Sequence, residues 1–157
     1  LKYDIKPTQV NQEKSGSIKD YASIDLGITN LATMYIPYKR PYIIDGSEIK
    51  SVNYETKRKN AKNQKNKVGK AKKDYTWLKR EQKIKNYLHV ASSRIIEMLK
   101  LSDVKHLIIG YNKGWKLKCN MGKQNNETFY KVPYRYFVNM LFYKGEDNGI
   151  TVEETNE

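Results

Sequence analysis

Residues 21–30 read Tyr-Ala-Ser-Ile-Asp-Leu-Gly-Ile-Thr-Asn, and this stretch decides the fold. Tyr21 to Leu26 is a short apolar run, and Gly27 and Asn30 punctuate it, which predicts a strand closed by a turn. Asp25 then stands at the end of that strand, a carboxylate on a rigid support. Outward from it, Leu31–Ile36 and Tyr42–Ile44 are further strand candidates, separated by Pro37 and Pro41. Three strands with short turns predict an antiparallel meander. Upstream, Leu1, Tyr3 and Ile5 alternate weakly before Ser15, Gly16 and Ser17, so residues 1–19 read as a lead-in segment and loop.

From about Ser47 to Lys100 proline is absent, Gly69 is the one glycine, and Lys, Asn, Glu and Gln dominate, which predicts a helical hairpin over 47–100. Ile84, Tyr87, Leu88, Ala91, Ile95, Met98 and Leu99 recur at steps of three and four and give the second helix one apolar stripe. The first helix is apolar-poor, with Val68, Ala71, Tyr75 and Leu78 as its comparable row, so it should pack over a short stretch and leave its lysines free. Val104, Leu107, Ile108 and Ile109 form the dense run of a strand buried on both faces. Gly110 to Asn126 is polar and loop-like. Pro133 suits the first residue of a helix whose apolar face is Phe137, Val138, Met140 and Leu141. Gly149 then opens a last strand, Ile150 to Val152. The order β-β-β-α-α-β-α-β predicts an α/β fold, a ribonuclease H-like mixed sheet with a long basic helical hairpin inserted, as a single domain over 1–157. There is no internal repeat.

The net charge of +13 is unevenly placed. Lys50 to Lys85 holds fourteen Lys/Arg against three acids, a net of +11, which leaves +2 for the rest of the chain. Such a stripe suits a polyanion, because displaced counterions drive binding. Lys57, Arg58, Lys59, Lys62, Lys65, Lys67, Lys70, Lys72 and Lys73 fall all round a helix and would hold a nucleic-acid backbone as point charges, reading no bases. Trp115, between Gly114 and Lys116, is a candidate to stack on a base, with Lys116 on the phosphate; a packed loop tryptophan is the alternative. The bland reading of the hairpin is a solvated helix pair. His89 and His106 lack partners at ligand spacing and read as structural or exposed.

A single cysteine, Cys119, excludes a disulfide framework and a complete thiolate zinc site within the chain. With no apolar run of transmembrane length and no signal-peptide pattern, the expected setting is a reducing interior, cytoplasm or nucleoid. Because the chain opens on Leu1, it reads as a piece of something longer.

A strand-end carboxylate such as Asp25 suits Mg²⁺, which takes oxygen ligands and can steady both attacking and leaving oxygens. A turn residue is the commoner explanation for an Asp two positions before a Gly. The neighbouring segments add specificity. The IDLGITN-LAT opening from Ile24, IIDG-x-x-IKS-x-N (Ile43 to Asn53), H-x-A-S-x-x-I-I (His89 to Ile96) and IIGYNKGWK (Ile108 to Lys116) stand in the order found in the TnpB family. From about residue 20 onward the chain resembles the RuvC nuclease part of these TnpB-type (OrfB) transposon proteins, relatives of the type V CRISPR effectors.

The resemblance implies an RNA-guided endonuclease that hydrolyses DNA phosphodiesters with three acids and two Mg²⁺ ions. Its partners would be DNA and a guide RNA, with no membrane and no small-molecule substrate. The family's first acid maps onto Asp25. The second usually opens a Glu-Asp-Leu-Asn segment after the strand ending here at Ile109, but Gly110 stands there, and glycine cannot bind a metal. Some branches instead carry a Glu before a Ser-Tyr-Thr-Ser segment after the next strand, which Glu157 matches; Glu153 and Glu154 compete. The third acid and a zinc ribbon with paired CxxC motifs are expected beyond residue 157, and guide and DNA recognition in N-terminal parts, so these residues alone should not cut DNA. Two rivals remain. One is a non-catalytic nucleic-acid-binding module whose site has decayed at Gly110. The other is a fragment of an actin/Hsp70-like ATPase, whose phosphate turn reads Asp-Leu-Gly-Thr-Thr-Asn, but here Ile28 replaces the first Thr.

Overall fold

A computed structural model describes residues 17–27, 29–111 and 132–155. The opening run is a strand, β1 (Tyr21–Leu26), followed by β2 (Asn30–Tyr35) and β3 (Tyr42–Asp45). Two helices follow, α1 (Ser47–Lys65) and α2 (Lys70–Leu101), then β4 (His106–Gly110), α3 (Tyr134–Asp147) and β5 (Thr151–Thr155). The sheet order is β3-β2-β1-β4-β5. β1 pairs antiparallel with β2, and β2 with β3, while β1/β4 and β4/β5 are parallel. An antiparallel meander continued by parallel, helix-connected strands is the ribonuclease H-like arrangement.

Strand alternation divides the sheet into two unlike faces. Ala22, Ile24, Leu26, Ala32, Met34, Leu107 and Ile109 are buried in one cluster with Ile84, Leu88, Ile95 and Leu99 of α2 and Phe137, Val138 and Leu141 of α3. The other face carries Ser23, Asp25, Tyr35, Ile43, Ile108 and Glu153, none of which is buried. β4 therefore departs from the expectation of burial on both faces: Leu107 and Ile109 are buried, whereas His106 and Ile108 are half-covered. Its apolar density reflects a central position in the sheet, with a helix layer on one side.

The stripe expected on the second helix is present, since Ile84, Leu88, Ala91, Ile95 and Leu99 are buried and Tyr87 and Met98 partly so. The row Val68, Ala71, Tyr75 and Leu78 is a correction. The hairpin turns at residues 66–69, so those residues belong to the turn and to α2, and Tyr75 and Leu78 are half exposed. From residue 57 to 83 nothing is buried, and this half of the hairpin is a two-helix arm outside the core.

α1, α2 and α3 end in the same hydrogen-bonded loop, with a left-handed residue after the cap. Lys67 (φ 48), Asp103 (φ 51) and Gly149 (φ 69) take that position. After each, the next N–H reaches back five residues: Val68 to the Asn63 carbonyl (2.9 Å), Val104 to Leu99 (3.0 Å) and Ile150 to Gly145 (2.8 Å). The last of these turns α3 straight into β5, with α3 also fastened to α2 by Lys144, whose Nζ donates to the His89 carbonyl (2.9 Å) and the Ser92 and Ser93 hydroxyls (2.8 Å each). Gly145 makes this closure possible: a Cβ there would stand 2.5 Å from Val152 Cγ2 and 3.1 Å from the Ile150 carbonyl oxygen. Gly145→Ala is therefore expected to destabilise the fold. Overpacking at about 1–3 kcal/mol exceeds the gain of roughly 1 kcal/mol in helix propensity, and a lowered urea midpoint at unchanged m-value would show it.

Candidate metal-binding edge and basic arm

The carboxyl ends of β1, β4 and β5 lie along one edge of the sheet, because these strands run parallel. Asp25 pairs in register with Gly110 on β4, and Gly110 with Thr155 on β5. Side chains in register share a face, so Asp25 points to the face opposite the α2 and α3 layer and is exposed. Among the described residues its carboxylate has no hydrogen-bond or ion-pair partner, which leaves its oxygens available. β5 lies roughly 10 Å away, two inter-strand spacings, with the side-chain-free Gly110 between.

Parity separates the acids of β5. Glu153 is level with Ile108 and Ser23, exposed on the Asp25 face but one pair back from the edge. Glu154 is level with Ile109, on the helix-covered face, and pairs with Arg135 of α3. Its carboxylate serves the packing of α3 on β5. Glu157 lies outside the described residues, as do Trp115 and Lys116.

The turn after Asp25 is held from a distance. Tyr134, in the first turn of α3, is buried at 1% exposure, and its hydroxyl donates to the Gly27 carbonyl at 2.6 Å. Burial pushes its phenol pKa well up, so the hydroxyl stays a donor. Sequence reading missed this clamp, since residues 107 positions apart give no local signal. Tyr134→Phe would remove this bond and is expected to lose about 0.5–1.5 kcal/mol of stability in chemical denaturation.

A second acid sits at the same edge on the opposite side. Asp45 ends β3 and is engaged in starting α1: it accepts from the Ser47 N–H (3.0 Å) and from the Ser47 hydroxyl. The Ser47 bonds hold its pKa below the usual carboxylate range. Its backbone carbonyl accepts from the Tyr87 hydroxyl. Among the described residues no three of His, Cys, Asp and Glu come together as a metal site. The donor chemistry at the edge is nonetheless that of a hard cation, one unpartnered carboxylate on a rigid strand.

The basic residues form one structure. Lys57, Arg58, Lys59, Lys62 and Lys65 lie on α1, Lys67 in the turn, and Lys70, Lys72 and Lys73 on α2; all are exposed except the half-buried Lys73. Residues 57–83 hold twelve Lys/Arg and two acids, a net of +10. Lys59 and Lys83 lie 3.9 and 4.0 Å from Glu55, exposed pairs that hold little energy. His89 meets the Tyr136 ring edge-on, and His106 stacks on Tyr21 at 4.6 Å, so both are surface-packing residues.

Fold and edge define a class, ribonuclease H-like domains with a carboxylate on the central strand. The chain belongs to the OrfB_IS605 family, described as "Probable transposase", which it matches over residues 3–116. In three dimensions it is similar to a chain in "Cryo-EM structure of the Cas12f1-sgRNA-target DNA complex", with TM-score 0.71 and 15% identity over 86% of this chain and 35% of that one. It is also similar to a chain in "Cryo-EM structure of CRISPR-Cas12f Ternary Complex", with TM-score 0.69 and 17% identity over 98% of this chain and 31% of that one. It thus spans about a third of the length of these structures. No curated protein matches its sequence. No helix among the described residues is long and apolar enough to cross a membrane.

Proposed function

We propose that the chain is the RuvC-like nuclease part of a transposon-associated, RNA-guided DNA endonuclease. The observation that carries this is Asp25, an exposed and unpartnered carboxylate on the central strand, at the edge where β1, β4 and β5 end together. Family membership supports the assignment, as does the likeness to chains in complexes that contain a guide RNA and target DNA.

In this reading Asp25 and Glu157 are metal ligands. Odd-numbered positions of β5 share the Asp25 face, and Glu157 is the next acid in the sequence after Glu154. Bound Mg²⁺ would supply an activated water and charge stabilisation for the leaving oxygen of an in-line displacement. The protein's part is to keep Asp25 rigid through its pairing with Thr33 and Gly110, and to fix the turn behind it through Tyr134. The basic arm grips the sugar-phosphate backbone of the guide–target hybrid or of DNA. With one unpartnered acid at this edge among the described residues, the 157 residues alone are expected not to cleave. The third acid and a zinc ribbon are assigned to other parts of the full-length protein.

The test is cleavage by guide-loaded full-length protein carrying one acid substitution at a time. Glu157→Gln should lower the single-turnover rate by at least about tenfold, as loss of a metal ligand must exceed loss of a partner behind one. Glu153→Gln, Glu154→Gln and Asp45→Asn should each stay within a few-fold of the parent. Loss of activity with Asp45→Asn alone would move the second ligand to the opposite side of the sheet. A second reading, a binding module without catalysis, is favoured by Gly110, and absence of Mg²⁺-dependent cleavage by the parent would establish it.

A further inference from the structure

The arm does more than carry charge. A groove of about 320 Å³ opens between its helices, walled by Asn53, Lys57, Asn60 and Gln64 of α1 and by Trp77 and Arg80 of α2. The α1 residues recur at steps of four, three and four, one helical face. An antiparallel helix pair ordinarily places leucines or alanines there, and here α1 places three amides and a lysine beside the single small apolar residue Ala61. Trp77 is half exposed at 47%, with the Arg80 guanidinium 5.7 Å from its ring. Arg80 Nε also donates to Asn53 Oδ1 at 2.7 Å, which fixes its plane along the groove wall. Asn53 Nδ2 and Asn60 Oδ1 are withheld from water and have no hydrogen-bond partner.

Two orphaned amide atoms cost a fold about 1–3 kcal/mol each, and a leucine at either position would remove the cost. An unsatisfied amide at Asn60 beside an open aromatic and a fixed guanidinium is what a ligand site requires: flat surfaces to stack on, and a terminal amide that can turn its donor and acceptor to the ligand's edge. The volume lies at the lower end of small-molecule sites and admits a single nucleotide, far too little for a duplex. The surrounding charge of +10 over residues 57–83 selects an anionic ligand.

We propose that this groove holds one unpaired nucleotide of a nucleic acid bound along the arm. Its base would lie against Trp77 and Arg80, with its polar edge on Asn60, reached by rotation of the Asn60 terminal amide while Asn53 keeps its bond to Arg80, and its phosphate toward Lys57. The inference rests on the nucleic-acid reading above and adds to it a contact to a base, where the lysines contact only phosphates.

The chain contains two tryptophans, so Trp115→Phe makes Trp77 the sole reporter. In that single background the chain is titrated with a short single-stranded RNA, a DNA of the same sequence, and an abasic strand of equal length. Base-bearing strands should quench Trp77 fluorescence and the abasic strand should bind without quenching; the stronger quench, RNA or DNA, identifies the strand that donates the nucleotide. With Trp115 intact, Trp77→Ala should weaken binding of base-bearing strands by about 5- to 150-fold and leave the abasic strand unaffected, and Trp77→Phe should restore most of the loss. Equal quenching and equal Trp77→Ala effects for base-bearing and abasic strands would overturn the nucleotide site while leaving the lysine contacts standing. Failure of every strand to bind would remove both.

Discussion

Asp25→Asn in the guide-loaded full-length protein is expected to lower DNA cleavage by more than about 100-fold, above the 10–100-fold that loss of an outer-shell partner costs a metal site. The substitution is nearly isosteric and exposed, so the fold should not register it: Asp25 is not one of the buried cluster and has no hydrogen-bond or ion-pair partner to lose among the described residues. Affinity for DNA and guide RNA should hold or rise slightly, since a negative charge is removed near the bound backbone. A kcat collapse at constant Kd, with only slight rescue by Mn²⁺, is the signature of a lost ligand. Unchanged cleavage would remove Asp25 from the chemistry and the nuclease reading with it.

Salt should weaken nucleic-acid binding by a larger factor than any single substitution. If six to nine of the arm's cations each neutralise a phosphate, raising monovalent salt from 50 to 200 mM lowers affinity by about 10³–10⁵-fold, with a log–log slope of roughly −0.9 per contact on duplex DNA. Neutralising Lys57, Lys62 and Lys65 together should flatten that slope by about 3 and weaken all sequences alike, because ammonium groups on phosphates carry no base information. Lys73, half-buried, should contribute least. A slope near zero, or one that survives the triple substitution, would return the arm to a solvated helix pair.

Much of the architecture was legible because it is written in local periodicity. β1 and β4 are apolar runs bounded by turns, and the stripe from Ile84 to Leu99 has the three-and-four step of a packed helix. The row Val68, Ala71, Tyr75 and Leu78 misled for a physical reason: the helical period holds whether or not anything packs on the stripe, and the arm extends past the core. The turn was equally hidden, since the left-handed position there is held by Lys67 and not by the nearby Gly69. The two acids of β5, Glu153 and Glu154, were indistinguishable until the structure paired Glu154 with Arg135 and put Glu153 on the Asp25 face.

By itself the sequence determined the element order, the basic stretch and the strand-end position of Asp25, since each depends on residues within a few positions of one another. Tertiary structure alone decided that Asp25, Gly110 and Thr155 are level, that Tyr134 secures the turn behind the carboxylate, and that Asn53, Asn60 and Trp77 share a groove. These relations depend on strand register and on which helix faces meet, and both are set by burying the whole apolar cluster at once, through contacts between residues far apart in the chain.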